Sequence, residues 1–145
     1  MYDTVLFPTN GSEGADAALA HALELARKHD AEIHVLFVVN TTYAGSGAVD
    51  ATTAIESLRG AGDRIVAETV DRITDEGVDA VGEVRDGNPY REILDYADES
   101  DCDVIVMGTH GRRGLDRYLL GSVTEKVVRA SDVPVLTVRI SDEEE

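Results

Sequence analysis

The chain has 145 residues, 43% of them hydrophobic, with thirteen basic and twenty-nine acidic side chains and a net charge of −16. This is the size of one domain, residues 1–145, able to bury one good core; the apolar content argues against disorder, and the negative field argues against general binding to nucleic acid or an anionic membrane. No run of about 18 apolar residues marks a membrane span and no basic, apolar leader opens the chain, so the expected location is cytoplasmic.

In chain order, short β-rich runs alternate with longer stretches of helical periodicity. Thr4-Val5-Leu6-Phe7 is a strand. Glu13 to Lys28 places Ala18, Leu19, Ala22, Leu23, Leu25 and Ala26 at helical spacing, with Ser12 as candidate N-cap. Ile33 to Val39 is the second strand, and after a loop holding Gly45 and Gly47 a long helix runs from about Ala51 to Glu76, stopped by Gly77. Val78 to Val84 is the third strand. Pro89 suits the first turn of a helix whose buried face is Ile93, Leu94 and Ala97. Val104 to Met107 is the fourth strand, Leu120 to Ala130 the fourth helix, and Val133 to Val138 the fifth strand.

Five strands alternating with four helices predict an α/β fold, a doubly wound open sheet of five parallel strands with helices on both faces. Ligands on such sheets lie beyond the carboxyl ends of the strands, where the strand order reverses, and here the ends of strands one and four carry the candidate residues. Pro134 lies within the last strand and cannot donate to a ladder, which puts that strand at an edge. A bare apolar edge invites association, so a homodimer through residues 133–139 is expected.

Cys102, the one cysteine, cannot close an intrachain disulfide and reads as inert core before a buried strand. His21, His29 and His34 have no metal-ligand spacing and read as structural, and Asp3 reads as a cap or surface residue. The acidic residues are spread over helix faces and lysine is nearly absent, a composition like that of proteins adapted to high salt. Residues 140–145 form an acidic, solvated tail.

The segment most rich in chemistry follows the fourth strand. Gly108-Thr109-His110-Gly111, then nine residues, then Gly121-Ser122 reads as a phosphate site, because glycine lets the backbone approach an anion and a helix start aims free N–H groups at it. From Gly108 to Ser131 five basic residues (Arg112, Arg113, Arg117, Lys126, Arg129) face two acidic ones, whereas the rest of the chain has eight basic against twenty-seven acidic. The spacing fits neither the P-loop, which needs a lysine before its Ser/Thr, nor the dinucleotide fingerprint, whose glycines fall within six residues. The glycines alone could also serve a tight strand-to-helix turn.

Leu6-Phe7-Pro8-Thr9-Asn10-Gly11-Ser12-Glu13, His34 to Val39, Gly87-Asn88-Pro89, the glycine motif with Ser122 to Val128, and Pro134 to Val138 together resemble the universal stress protein family of the nucleotide-binding type. The resemblance spans nearly the whole chain. It implies the family's Rossmann-like, adenine nucleotide alpha hydrolase-like fold and an adenine nucleotide, ATP with AMP or cyclic AMP as alternatives, accompanied by Mg²⁺. Adenine would lie near Pro8, Asn10 and Val38, the ribose and phosphates beside Gly108, Thr109, His110, Gly111, Arg112, Arg113 and Gly114, and Met107 also belongs to the implied binding set. Gly121, Ser122, Val123 and Thr124 would meet the phosphates at the helix start. His110 either faces the ligand or caps the loop. Asn10 stands where the family's nucleotide binders commonly have aspartate; it keeps a donor and an acceptor but no carboxylate.

Phosphoryl transfer needs a held metal and an oriented nucleophile, and Asp116 is the only carboxylate between Gly108 and Gly121, so no catalytic residue is assigned. The leading expectation is a dimeric ATP-binding module of stress response or signalling whose bound nucleotide alters a surface seen by another protein. The alternatives are a ligand-free universal stress dimer acting by interaction, a slow ATPase or autophosphorylating enzyme, and a flavin carrier.

Overall fold

The alternating pattern folds into strands and helices in strict sequence. The computed structural model describes residues 2–11, 13–41, 51–109 and 121–139. The elements are β1 (Thr4–Pro8), α1 (Glu13–His29), β2 (Glu32–Asn40), α2 (Ala51–Asp75), β3 (Ala80–Gly87), α3 (Pro89–Glu99), β4 (Val104–Gly108), α4 (Ser122–Ala130) and β5 (Val135–Val138). All five strands pair in parallel in the order β3-β2-β1-β4-β5. The order reverses between β1 and β4. Ser12 and Leu120 lie outside the described residues.

Side-chain alternation splits the apolar residues between two layers. Val5, Phe7, Ile33, Val35, Phe37, Val39, Val104 and Val106 face α1 and α2, against Ala18, Leu19, Ala22, Val66 and Ile73. Leu6, Leu36, Ile105 and Met107 face α3 and α4, against Ile93, Tyr96, Ala97 and Val127. The central strands are therefore buried on both sides, which is why they read as nearly continuous hydrophobic runs.

Three helices end in the same way, and the endings correct one strand boundary. After α2, Gly77 takes φ +85°, the Val78 N–H donates to Ile73 O at 3.3 Å and the Gly77 N–H donates to Thr74 O at 2.9 Å. After α1 and α3 the left-handed residue is aspartate, Asp30 (φ +58°) and Asp101 (φ +51°), with Ala31 donating to Ala26 O and Cys102 to Ala97 O, each at 2.9 Å. These are Schellman endings, in which the residue after the left-handed turn packs inward. Ala31, Val78 and Cys102 are those residues, and all are buried. Val78 thus plugs the end of α2 instead of opening β3, which starts at Ala80 and runs on through Arg85 and Asp86 to Gly87, pairing with Val38, Val39 and Asn40. The polar residues of an edge strand hid that extension.

A second correction concerns the last strand. The Ser131 hydroxyl donates to Val133 O at 2.7 Å and accepts from the Val133 N–H at 3.0 Å, so Val133 belongs to a turn. Pro134 precedes β5, its carbonyl accepting from the Ile105 N–H at 3.0 Å. The edge position of β5 holds, but it follows from the strand order and not from a proline inside the strand.

His34 is held structurally, its Nδ1 2.7 Å from the Tyr96 hydroxyl and its Nε2 3.3 Å from Glu32. Arg85 lies over the Tyr96 ring and bonds Glu99 and Glu83, each at 2.7 Å, which clamps α3 to β3 and keeps the guanidinium charged. Cys102 is 4% exposed, and burial, reinforced by Asp103, Asp101 and Glu32, pushes its thiol up to about 12. Since thiolate is the reactive form, a disulfide reagent at pH 8 is expected to label the folded chain at least about a hundredfold more slowly than the urea-unfolded chain. Equal rates would place Cys102 at an accessible surface.

Candidate functional site

The carboxyl ends of β1, β2 and β4 meet the first turns of α1, α3 and α4 around one cavity of about 260 Å³. Its wall is built in three parts. Pro8, Thr9 and Asn10 come from the end of β1 and the turn after it, Leu36, Val38 and Asn40 from alternate positions of β2, and Met107, Gly108 and Thr109 from the end of β4. Ala15, Pro89, Ile93, Val123 and Thr124 complete it from the three helices. The cavity sits at the reversal of strand order, where the loops on either side of the switch diverge and leave space.

Local bonds fix this rim. The Thr9 N–H continues the β1–β2 ladder by donating to Leu36 O at 2.9 Å, and its hydroxyl accepts from the Gly11 N–H at 3.0 Å. The Thr109 N–H donates to Val138 O at 3.0 Å, carrying the β4–β5 ladder one residue past β4. The buried Thr124 hydroxyl donates to Gly108 O at 3.1 Å and so ties α4 to the end of β4.

Helix α4 starts without a side-chain cap. Gly121 is its N-cap in an extended conformation, φ −62° and ψ 153°, and its carbonyl accepts the Glu125 N–H at 2.8 Å. The N–H groups of Ser122, Val123 and Thr124 precede the first intrahelical bond, so they have no acceptor within the helix and, with the dipole, favour an anion. Helix α3 likewise starts at Asn88 with no side-chain cap bond and Pro89 in its first turn. Three helix starts around one cavity give it a positive bias although no described lining residue carries a charge.

Of the residues expected from the sequence, Pro8, Asn10, Val38, Met107, Gly108, Thr109, Val123 and Thr124 line this cavity together. Gly121 and Ser122 stand beside them at the start of α4 without lining it. His110, Gly111, Arg112, Arg113 and Gly114 lie outside the described residues, as does Arg117. Sequence reasoning missed Thr9, Ala15, Leu36, Asn40, Pro89 and Ile93 as lining residues. A period-2 signal was available for Leu36 and Asn40, each two residues from Val38, and a helical one for Ile93, one turn beyond Pro89.

The cavity offers amide, hydroxyl and backbone groups. Among the described residues no carboxylate lines it, and no three His, Cys, Asp or Glu side chains come together as metal ligands. Mg²⁺ is ordinarily held by one or two carboxylates with substrate phosphates, so the described donors do not fit a protein-held Mg²⁺. Also among the described residues, no helix is long and apolar enough to cross a membrane.

Residues 1–139 match the model of the universal stress protein family. The chain is 35% identical over 141 residues to the universal stress protein MJ0531 of Methanocaldococcus jannaschii, covering 96% of this chain and 83% of that one. It is 36% identical over 149 residues to a universal stress protein of Methanothermobacter thermautotrophicus, covering 96% and 97%. Among solved structures it is similar to the hypothetical protein MJ0577, with TM-score 0.86 and 30% identity over 99% of each chain. A universal stress protein in complex with cAMP is similar at TM-score 0.73 and 28% identity, over 94% of this chain and 97% of that one.

Proposed function

This chain belongs to the universal stress protein family, and from that premise we propose that it is a dimeric adenine-nucleotide-binding module of stress response or signalling, with ATP as the leading ligand and AMP or cyclic AMP as the alternatives. The observation that carries the reading is the convergence of eight residues expected to bind nucleotide on one cavity ringed by three helix starts. The solved family member in complex with cAMP supports the same ligand class. In this reading adenine lies against Pro8, Asn10 and Val38, the phosphates reach the start of α4, and residues 110–114 extend the site along the phosphates. Any Mg²⁺ arrives on the phosphates of ATP and is not held by a protein carboxylate. No catalytic residue is assigned.

The second copy pairs through residues 133–139, which hold the edge strand β5, where Leu136 is 38% exposed. Residues 1–145 act as one cytoplasmic domain with residues 140–145 as a solvated tail, and the acidic surface suits high salt. Titration calorimetry with ATP, AMP and cyclic AMP in high salt tests the ligand, and light scattering tests the pairing. Binding of at least one nucleotide per chain and a mass near twice 15.6 kDa are the expected results. No binding of any of the three at about millimolar concentration, a range in which even weak ligands worth ~4 kcal/mol register, overturns the nucleotide reading; a mass of one chain overturns the dimer.

A further inference from the structure

One peptide group at the end of β4 is bonded from two directions. The Thr109 N–H donates to Val138 O of β5 at 3.0 Å, and the Gly108 carbonyl accepts from the Thr124 hydroxyl of α4 at 3.1 Å. Thr124 is 4% exposed; it and Val127 are the two buried residues of the nine-residue α4, three positions apart and so on one face of the helix. A helix this short is marginal alone, and its placement depends on what those two side chains grip. Val127 packs among apolar neighbours, an attraction without direction. The Thr124 hydroxyl adds a directional bond from the first turn of α4 to the strand beside it.

We propose that Thr124 is a positioning residue for the phosphates: its hydroxyl holds the Gly108 carbonyl and thereby fixes where the first N–H groups of α4 stand relative to the end of β4. A hydroxyl has one proton to donate. In Thr124 that proton is committed to Gly108 O, so the hydroxyl is not a donor to a phosphate, and the residue serves the ligand through its backbone N–H and the geometry it imposes. The same bond restrains the carbonyl of a glycine, the residue whose backbone rotates most freely. Turned toward the cavity, that oxygen would bring its partial negative charge to the phosphates and repel them. This role rests on the nucleotide reading above and deepens it.

The test is calorimetric titration of the unaltered chain, Thr124→Val and Thr124→Ser with adenosine, AMP and ATP. Valine keeps nearly the shape of threonine without the donor, and serine keeps the donor. Thr124→Val is expected to bind adenosine as before and ATP about tenfold more weakly, the scale of one hydrogen bond, with AMP between them. Thr124→Ser should bind all three nearly as the unaltered chain does. The valine variant also melts lower, because the Gly108 carbonyl loses its partner, so the split between ligands and the rescue by serine decide the matter. Thr124→Ala is the second variant, with the same expected ordering as valine. Equal loss for adenosine and ATP would mean a merely structural effect and would overturn the proposal, as would unchanged ATP binding in Thr124→Val or a serine variant as weak as the valine one. Absence of binding by the unaltered chain to all three ligands would overturn the nucleotide reading itself.

Discussion

Ser122→Glu is expected to weaken nucleotide binding about a hundredfold while leaving the melting temperature unchanged or slightly raised. Ser122 is the exposed first residue of α4, behind an N-cap glycine that contributes no side chain. A carboxylate in a first turn interacts favourably with the helix dipole, by about 0.3–1 kcal/mol, and the acidic residue already in that turn, Glu125, is paired with Arg129 at 3.0 Å. The fold therefore gains or stays level. In the proposed reading the same carboxylate would occupy the place where the ligand's phosphates meet the N–H groups at the start of α4, and would oppose them. A hundredfold loss corresponds to about 2.7 kcal/mol, a reasonable size for replacing attraction by repulsion at one helix start. Binding and stability should thus move apart. Unchanged affinity would remove the phosphates from α4, and a loss of affinity matched by a fall in melting temperature would make the effect structural.

Gly62→Leu is expected to destabilise the fold by about 1–3 kcal/mol, the range for overpacking a filled core. Glycine inside a helix costs about 1 kcal/mol relative to alanine, so its presence in α2 calls for a packing reason. A Cβ at Gly62 would stand 2.6 Å from Phe37 Cδ1 and 2.9 Å from Cε1. The helix can approach β2 only because that atom is missing. Phe37 lies between Leu36 and Val38, so its displacement should also reach the cavity wall and lower ligand affinity. Gly60, two residues earlier, would have nothing within 4 Å of an added Cβ. Gly60→Ala is therefore expected to stabilise by about 0.5–1 kcal/mol through helix propensity alone. Urea denaturation of both variants measures the contrast. Equal effects at the two positions would contradict the packing argument.

The order of elements and the position of the switch point were legible because both rest on local signals. Apolar runs of four to nine residues alternated with helical periodicity, and the residues with special chemistry clustered after strands one and four. The errors came from positions where local turn bonds outrank the apolar pattern. Val78 and Val133 are β-branched and apolar, which fits a strand, but one closes a Schellman turn and the other is pinned by Ser131. Asp30 and Asp101 do at two helix ends what Gly77 does at the third, and an aspartate among so many acidic residues carries no such signal.

The site was legible by halves. The end proposed to take phosphates was marked by glycine spacing and by reversal of the local charge, two signals that run along the chain. The β2 wall was marked only by Val38, since Leu36 reads as core and Asn40 as the start of a loop. Pro89 and Ile93 enter because α3 crosses to the same face as α4, a fact of topology that no local pattern contains. The same topology joins Asn40 to Asn10, which are thirty positions apart in sequence.

The most direct test of the account is a nitrogen-15 correlation spectrum of the 15.6 kDa chain, recorded while AMP or ATP is added. The account expects the amide shifts to concentrate on Asn10, Val38, Asn40, Gly108, Thr109, Ser122, Val123 and Thr124, with the outer face of α2 and the β3 edge unmoved. Shifts centred on α2 and β3, or a spectrum unchanged at saturating nucleotide, would contradict it.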